Sequence, residues 1–405
     1  MDIHEFFASL GIEKYPDCFS DFYDEVMDDY DKVGAGYISP DLVRYLDDKY
    51  GLFPTYRDVL CEAADTIAKN ENLCRYVHLL RRMMHDPSLG SLAWGMQYPK
   101  APSPELEIAY RICSIFAHLS AAEDTINELI ERDVPRDIID QSMKCFDSCI
   151  RTYKRRFGMP GYNETYFAWG LRYVLGCRIL QIGSFNFEIV KSLRTYVSVY
   201  RNKKGEYRLL FDGCTLHREG QILGSAKFED PEGSYRAELI ETDEYVEGYV
   251  CDTWNCRSTG VKERLSKHEW TPIFKPGDPV ISVHIPRGAD VSKKAADDSY
   301  RLCLEIFGRC YPEFKPLGFY CGSWLMDPQL RDMVREGSNI VSFQSKFLRF
   351  PAKSEGRGVF TFLFPDASIK RHEDLPENTS LERAVKRHYL EGKYIYEQSG
   401  IFFDI

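Results

Sequence analysis

Apolar positions along this chain follow two periods, and the change from one to the other divides it. Up to about residue 176 they recur at helical spacing. Ala109, Ile112, Cys113, Phe116 and Leu119 share one face of a helix predicted over 104–132. Ile139, Met143, Phe146, Ile150 and Tyr153 share a face of the next, which Pro135 opens. Further helices are predicted over 56–69 and 72–84, followed by a proline-containing loop over 88–103. FGMPGYN at 157–163 breaks the pattern before a last helix, ETYFAWGLRYVLG. From Arg178 to about Ile285 the chain shifts to β-rich and alternating runs: ILQIGSFNFEI, TYVSVYR, EYRLLF, YRAELIE and EYVEGYV. Turn clusters at Asn202–Gly205 and Pro231–Gly233 separate them, which predicts an antiparallel sheet or meander.

The next stretch, 279–364, mixes the two periods. ISVHIP (281–286) is a predicted strand, with Ile281, Val283 and Ile285 on one face and Ser282 and His284 on the other. A turn at Arg287–Gly288 leads to a long helix with Ala295, Ser299, Leu302, Cys303, Ile306, Phe307 and Cys310 along one side. FYCGSWLMDP (319–328) is then a central strand: Leu317, Phe319, Cys321, Ser323 and Leu325 line one face and Gly318, Tyr320, Gly322 and Trp324 the other. Glycine within a strand marks a bulge or a close approach to the backbone, so Gly318 and Gly322 point to such contacts around Tyr320. Asp327-Pro328 opens a short helix, QLRDMVREG, ahead of a long strand over 340–350 and a hairpin partner, GVFTFLF, at 358–364. The order is strand, helix, strand, helix, strand, strand, and the first two strands should be parallel with a right-handed crossover. A helix starting near Thr379-Ser380 and a strand-like Ile401-Phe-Phe close the chain.

Composition narrows the classes. A net charge of −10 over 405 residues argues against a nucleic-acid partner, which would need clustered Lys and Arg. No apolar run reaches the length of a membrane span, and MDIHEFFASLGIEKYPD lacks the basic and apolar regions of a secretory signal. The 13 cysteines follow no framework spacing, which fits buried reduced thiols and a cytoplasmic protein. The fold class that follows is α+β, a helical N-terminal domain before a mixed β-sheet domain with flanking helices.

Sharp catalytic motifs are missing: the chain contains no GxxxxGK[ST], GxSxG or HExxH. Asp29, Asp31 and Gly34 begin a calcium-loop pattern that fails at Val33 and Pro40. Cys145 and Cys149 lie one helical turn apart with no third ligand nearby, and Cys251, Cys256 and His268 fit no zinc module, so no metal is expected. What remains is the end of the ISVHIP strand. His284 sits beside the turn into the crossover helix, where ligands of open α/β sheets collect. Arg287, Gly288 and Ala289, with Asp290 or Ser292 as caps, stand where helix N–H groups can receive an anion. On the neighbouring strand Tyr320, Cys321, Ser323 and Asp327 are the reactive candidates, with capping and packing as the structural alternative for each.

KPGDPVISVHIPRG, FYCGSWLMDPQL, SNIVSFQSKF and DLPENTSLERAV closely resemble the GNAT-like C-terminal domain of bacterial two-domain acyltransferase-domain proteins, which carry a helical N-acyltransferase N-terminal domain ahead of it. The resemblance implies domains over 1–176 and 177–405, and two parallel strands that splay so that acetyl-CoA or another acyl-CoA enters the gap. It implies that pantetheine pairs with the ISVHIP strand at Val283 and Ile285, and that pyrophosphate meets Arg287, Gly288 and Ala289. A small-molecule amine or peptide acceptor would arrive along FYCGSWL, with His284 as base, Tyr320 as acid and Ser323 as a third catalytic candidate. Two departures stand out. Arg287-Gly288-Ala289 is shorter than the usual Q/R-x-x-G-x-G/A loop, and the helix pair that normally follows the first strand is not evident between Arg178 and Val280. A non-catalytic binding or interaction protein that keeps the fold is the competing reading.

Overall fold

The computed structural model describes residues 1–84, 97–366 and 368–403. It comprises two compact units, Met1–Gln181 and Ile182–Ile405. Residues 88–96 of the predicted 88–103 loop lie outside the described residues.

The first unit is helical. Caps written into the sequence set several ends: Ser39 accepts from the Leu42 amide with Pro40 at the first position of Pro40–Tyr50, and Asn70 accepts from the Leu73 amide at the start of Glu71–Arg82. The single helix expected over 104–132 is instead three, Glu107–Ile112, Ile115–Leu119 and Ala122–Glu131, after a 3-10 turn at Pro104–Leu106. The Tyr162 backbone is the reason for the first break. Its amide donates to the Arg111 carbonyl (2.8 Å) and its carbonyl accepts from Ser114 Oγ (2.7 Å). The first bond occupies the acceptor that a continuous helix would offer to residue 115.

The sheets lie in the second unit, except that most of the first strand precedes its boundary. Strands run at Ile179–Ile182 (β1), Phe185–Val190 (β2), Val197–Asn202 (β3), Tyr207–Phe211 (β4), Cys214–Leu216 (β5), Tyr235–Ala237 (β6) and Ile240–Glu241 (β7). They continue with Tyr245–Asp252 (β8), Arg257–Ser266 (β9), Trp270–Phe274 (β10), Val280–His284 (β11), Phe319–Ser323 (β12), Leu348–Pro351 (β13) and Gln398–Phe402 (β14). One six-stranded sheet has the order β1-β2-β11-β12-β14-β13. β3, β4, β7, β8, β9 and β10 form a second, antiparallel sheet, and β5-β6 are a separate pair. The predicted meander is therefore present, and among the described residues no helix lies between β1 and β11.

Each face of the main sheet has its own cover. Val280, Ile401 and Phe350 join Val197, Val199, Leu209 and Phe211 of the second sheet in one apolar cluster. On the opposite face Tyr300, from the crossover helix Lys293–Cys310, packs its ring against Phe187, Phe319 and Phe402. β12 is thus covered on both sides, as its lack of a polar face predicts.

Three expectations fail after β12. The segment 340–350 is a helix, Asn339–Ser345, followed by the short β13. Ser338 caps it, and Gln344 donates to the Leu325 and Asp327 carbonyls (2.6 and 2.9 Å), a buried demand that outweighs the alternating pattern. GVFTFLF is also helical, Gly358–Phe362, with Val359 and Phe364 in a satellite core beside Trp324, Leu330 and Tyr389. The real partner of β13 is the C-terminal β14, which also pairs with β12. QLRDMVREG makes only a 3-10 turn, Pro328–Asp332.

Candidate active site at the divergence of β11 and β12

β11 and β12 start as a parallel pair and then part. Their register is Ile281↔Phe319 and Ser282↔Tyr320, and it ends there. Both strands continue. β11 stays paired with β2 as far as His284↔Asn186, and β12 stays paired with β14 as far as Ser323↔Gln398. Each keeps its outer neighbour while losing the inner one, which leaves a wedge between them at their C-terminal ends. The Ile281 amide donates to the Gly318 carbonyl (3.0 Å), so the backbone groups of Ile281, Val283 and Ile285 turn toward β12. Past the last rung, the Val283 carbonyl and the Ile285 amide face the side that β12 has left.

The register fixes what shares a face. Ser282 lies opposite Glu188 and His284 opposite Asn186, while Tyr320 is the parallel partner of Ser282. His284, Glu188 and Tyr320 therefore project from the same face of the sheet. His284 Nε2 lies 2.8 Å from Glu188 Oε2, and the Glu188 residue is only 7% exposed. A buried carboxylate at that distance fixes the orientation of the imidazole ring. The Tyr320 hydroxyl hydrogen-bonds Ser399 Oγ (2.9 Å). Burial raises the Tyr320 phenol above its ordinary value, partly offset by Ser399, so it stays protonated at neutral pH.

The other expected residues fall elsewhere. Ser323 stands on the opposite face, with Phe319 and Cys321, and its Oγ accepts from the Leu325 amide (3.1 Å) as the cap of a 3-10 turn. Cys321 is buried and its thiol is pushed up to about 12, so it carries no thiolate for nucleophilic attack. Asp327 caps the next 3-10 turn, accepting from the Gln329 amide (2.9 Å) and from the Tyr396 amide (2.6 Å). In the turn after β11, Arg287 Nη1 donates to the Phe362 carbonyl and the Ala289 amide to the Pro286 carbonyl (3.1 Å). Gly288 has φ +79° with open space about its Cα. Ser292 Oγ caps the crossover helix at Ala295, and Asp290 accepts from the Ser292 amide (2.8 Å). Among the described residues no cluster of three metal-ligating side chains occurs, and Cys251 Sγ points to the Arg349 carbonyl (3.6 Å).

The glycines flanking Tyr320 mark close approaches within the protein. A Cβ at Gly318 would lie 2.3 Å from the Phe402 carbonyl oxygen, and one at Gly322 would lie 2.8 Å from the Tyr320 hydroxyl. No local pattern in the sequence singles out Glu188 or Ser399. A carboxylate inside the apolar run FNFEIV was the one available signal for Glu188, and only the strand register links it to His284.

Comparison with known proteins agrees with this geometry. The model of the N-acyltransferase N-terminal domain matches residues 43–176, and that of the GNAT-like C-terminal domain matches 179–402, more than half of the chain. No curated protein matches. Solved structures do: an acyltransferase in complex with CoA and 10C-teicoplanin (TM-score 0.65, 17% identity, 100% of this chain and 99% of that one) has the same fold. So does an acyltransferase mutant in complex with octanoyl-CoA (TM-score 0.63, 18% identity, 100% and 99%). An acyltransferase in complex with decanoyl-CoA and teicoplanin matches with TM-score 0.61 at 17% identity over 100% and 99%. This chain belongs to the family of the GNAT-like C-terminal domain, and with an N-acyltransferase N-terminal domain ahead of it, it is a two-domain acyltransferase.

Proposed function

We propose that the protein transfers an acyl group from an acyl-CoA to the nitrogen of a small-molecule amine or a peptide. The observation that carries this reading is the loss of pairing between β11 and β12 after Ser282/Tyr320 while both outer pairings persist. A missing rung between two otherwise paired strands is a slot for an amide-bearing chain, and pantetheine has two amides that can replace it. The carbonyl of Val283 and the amide of Ile285 are the matching groups on β11. Arg287, Gly288 and Ala289 follow at the helix entry. Arg287 reaches a pyrophosphate by exchanging the Phe362 carbonyl for it, a rotation open to an exposed side chain. The acyl-CoA complexes of the solved relatives and their glycopeptide ligand fit the same substrate classes.

The chemistry follows from the shared face. The amine must reach the thioester carbonyl carbon as a neutral nucleophile. His284, oriented by Glu188, takes its proton as the C–N bond forms. The C–S bond then breaks, and the departing CoA thiolate receives a proton on the side where the Tyr320 hydroxyl is held by Ser399. Ser323 takes no part beyond its cap. Thirteen free cysteines, twelve of them buried, fit a reducing cytoplasmic setting, and no described helix is long and apolar enough to cross a membrane.

Calorimetry with acetyl-, octanoyl- and decanoyl-CoA tests this. The reading expects saturable one-to-one binding of at least one of them. It also expects that His284→Ala lowers CoA release with an amine acceptor by at least about a hundredfold, while leaving binding and melting temperature nearly unchanged. Absence of binding to all three, or full turnover in the variant, removes the reading or its base.

A further inference from the structure

A cleft of about 480 Å³ opens in the second unit, and neither His284 nor Tyr320 lines it. Its walls come from the turn between β8 and β9, the segment after β12 and the start of β14, and its size suits a small ligand. The floor carries two carboxamides of nearly inaccessible residues, Gln221 (1% exposed) and Gln398 (3% exposed). Each oxygen is already committed: Gln221 Oε1 accepts from the Ile222 amide (2.9 Å) and Gln398 Oε1 from the Ala352 amide (3.2 Å). Those backbone donors fix the orientation of both side chains. Both Nε2 groups are thereby left as donors, and neither donates to any described residue. Such donors need acceptors, and the cleft is the side from which acceptors can come.

The rim carries both signs of charge, four carboxylates (Glu219, Asp252, Asp327, Asp332) and two guanidinium groups (Arg257, Arg331). Arg257 faces Glu219 (3.9 Å), and Asn255 Nδ2 donates to Asp252 (2.8 Å) while its Oδ1 accepts from Arg331 (2.9 Å). A strong anion would have to break these contacts and would meet the surplus of carboxylates, whereas a neutral ligand that both donates and accepts hydrogen bonds would not. Beside them stands Trp254, 61% exposed, with the Arg331 guanidinium 4.1 Å from its ring centroid. The Arg349 guanidinium also lies 6.0 Å from the centroid, and the exposed remainder of the indole offers aromatic surface to C–H groups. Oriented amide donors, accepting carboxylates and an exposed indole are together the complement of a pyranose. We propose that this cleft binds a carbohydrate. The inference stands independently of acyl transfer.

The test applies the labelled full-length protein to a glycan array and titrates the best-retained glycan by calorimetry, with inorganic phosphate as a second probe. The expected result is saturable glycan binding, weakened at least tenfold by Trp254→Ala and by Gln398→Glu, with no heat from phosphate. Gln398→Glu keeps the acceptor for the Ala352 amide, and Trp254→Ala alters an exposed side chain, so matched melting curves separate binding from folding. No glycan retained above the Trp254→Ala background overturns the proposal. So does glycan binding that survives both substitutions, or phosphate binding tighter than any glycan. Because binding is the readout, its failure leaves the acyl-CoA reading untouched, and failure of that reading leaves this one standing.

Discussion

Replacing Glu188 by glutamine removes one charge from the centre of the proposed mechanism and changes almost nothing in shape. The carboxylate lies 2.8 Å from His284 Nε2 in a residue only 7% exposed, so little solvent screens the pair. A hydrogen bond to a charged group contributes about 1.5–3 kcal/mol, against about 1 kcal/mol for a neutral one. Glutamine keeps the neutral share. The difference, about 1–2 kcal/mol, should appear where the imidazole carries a proton, in the transition state for amine attack. That corresponds to a fall in kcat of roughly 5- to 30-fold. KM for the acyl-CoA should stay within about twofold, since Glu188 does not face the slot on β11. CoA release should be followed by chromatography, because thiol reagents would also report any accessible ones among the 13 cysteines. In a His284→Ala background, Glu188→Gln should cost nothing further, since a carboxylate that acts through the imidazole has lost its target. Wild-type kcat in a folded Glu188→Gln variant, or an equal loss in both backgrounds, would refute the reasoning.

Three further outcomes follow from named contacts. Burial holds the Asp327 carboxyl up at about 6 in the folded protein, above the unfolded value of about 3.9. The folded state thus binds that proton more tightly; its stabilising effect is complete below the unfolded value and is lost as pH rises through about 6. Relative to Asp327→Asn, the wild type should therefore gain about 2 kcal/mol between pH 7 and pH 4 in denaturant titrations, and parallel pH profiles would exclude this origin. Gly318→Ala should destabilise the second unit by about 3 kcal/mol, because its methyl group would lie 2.3 Å from the Phe402 carbonyl oxygen; a melting temperature within a degree of wild type would contradict that. Ser323→Ala should lower stability by about 1 kcal/mol through loss of the cap on the Leu325 amide, with turnover unchanged; loss of turnover in a folded variant would return Ser323 to the mechanism.

The parts of this fold legible in the sequence are those specified by local signals. The shift from helical to β-rich runs near Arg178, the Ser39 and Asn70 caps and the ISVHIP–helix–FYCGS unit all announce themselves within a few residues. Other features depend on partners distant in the chain. The 104–132 helix reads as continuous until the Tyr162 backbone takes its hydrogen bonds. The alternation in IVSFQSKF imitates a strand, yet Gln344 must reach two carbonyls after β12, and the helix brings it there. The site divides in the same way. His284 and Tyr320 are candidates from strand position alone, but their common face follows only from the pairing of Ser282 with Tyr320. Glu188 and Ser399 come from strands whose register no local pattern reveals.

The account rests most directly on the space between β11 and β12, and a crystal structure of the protein with CoA or a non-transferable acyl-CoA analogue tests it. The prediction is a pantetheine chain lying between the two strands, hydrogen-bonded to the Val283 carbonyl and the Ile285 amide, with its thioester end beside His284. A structure in which β11 and β12 zip together beyond Ser282 and Tyr320, or in which CoA binds elsewhere in the chain, would contradict it.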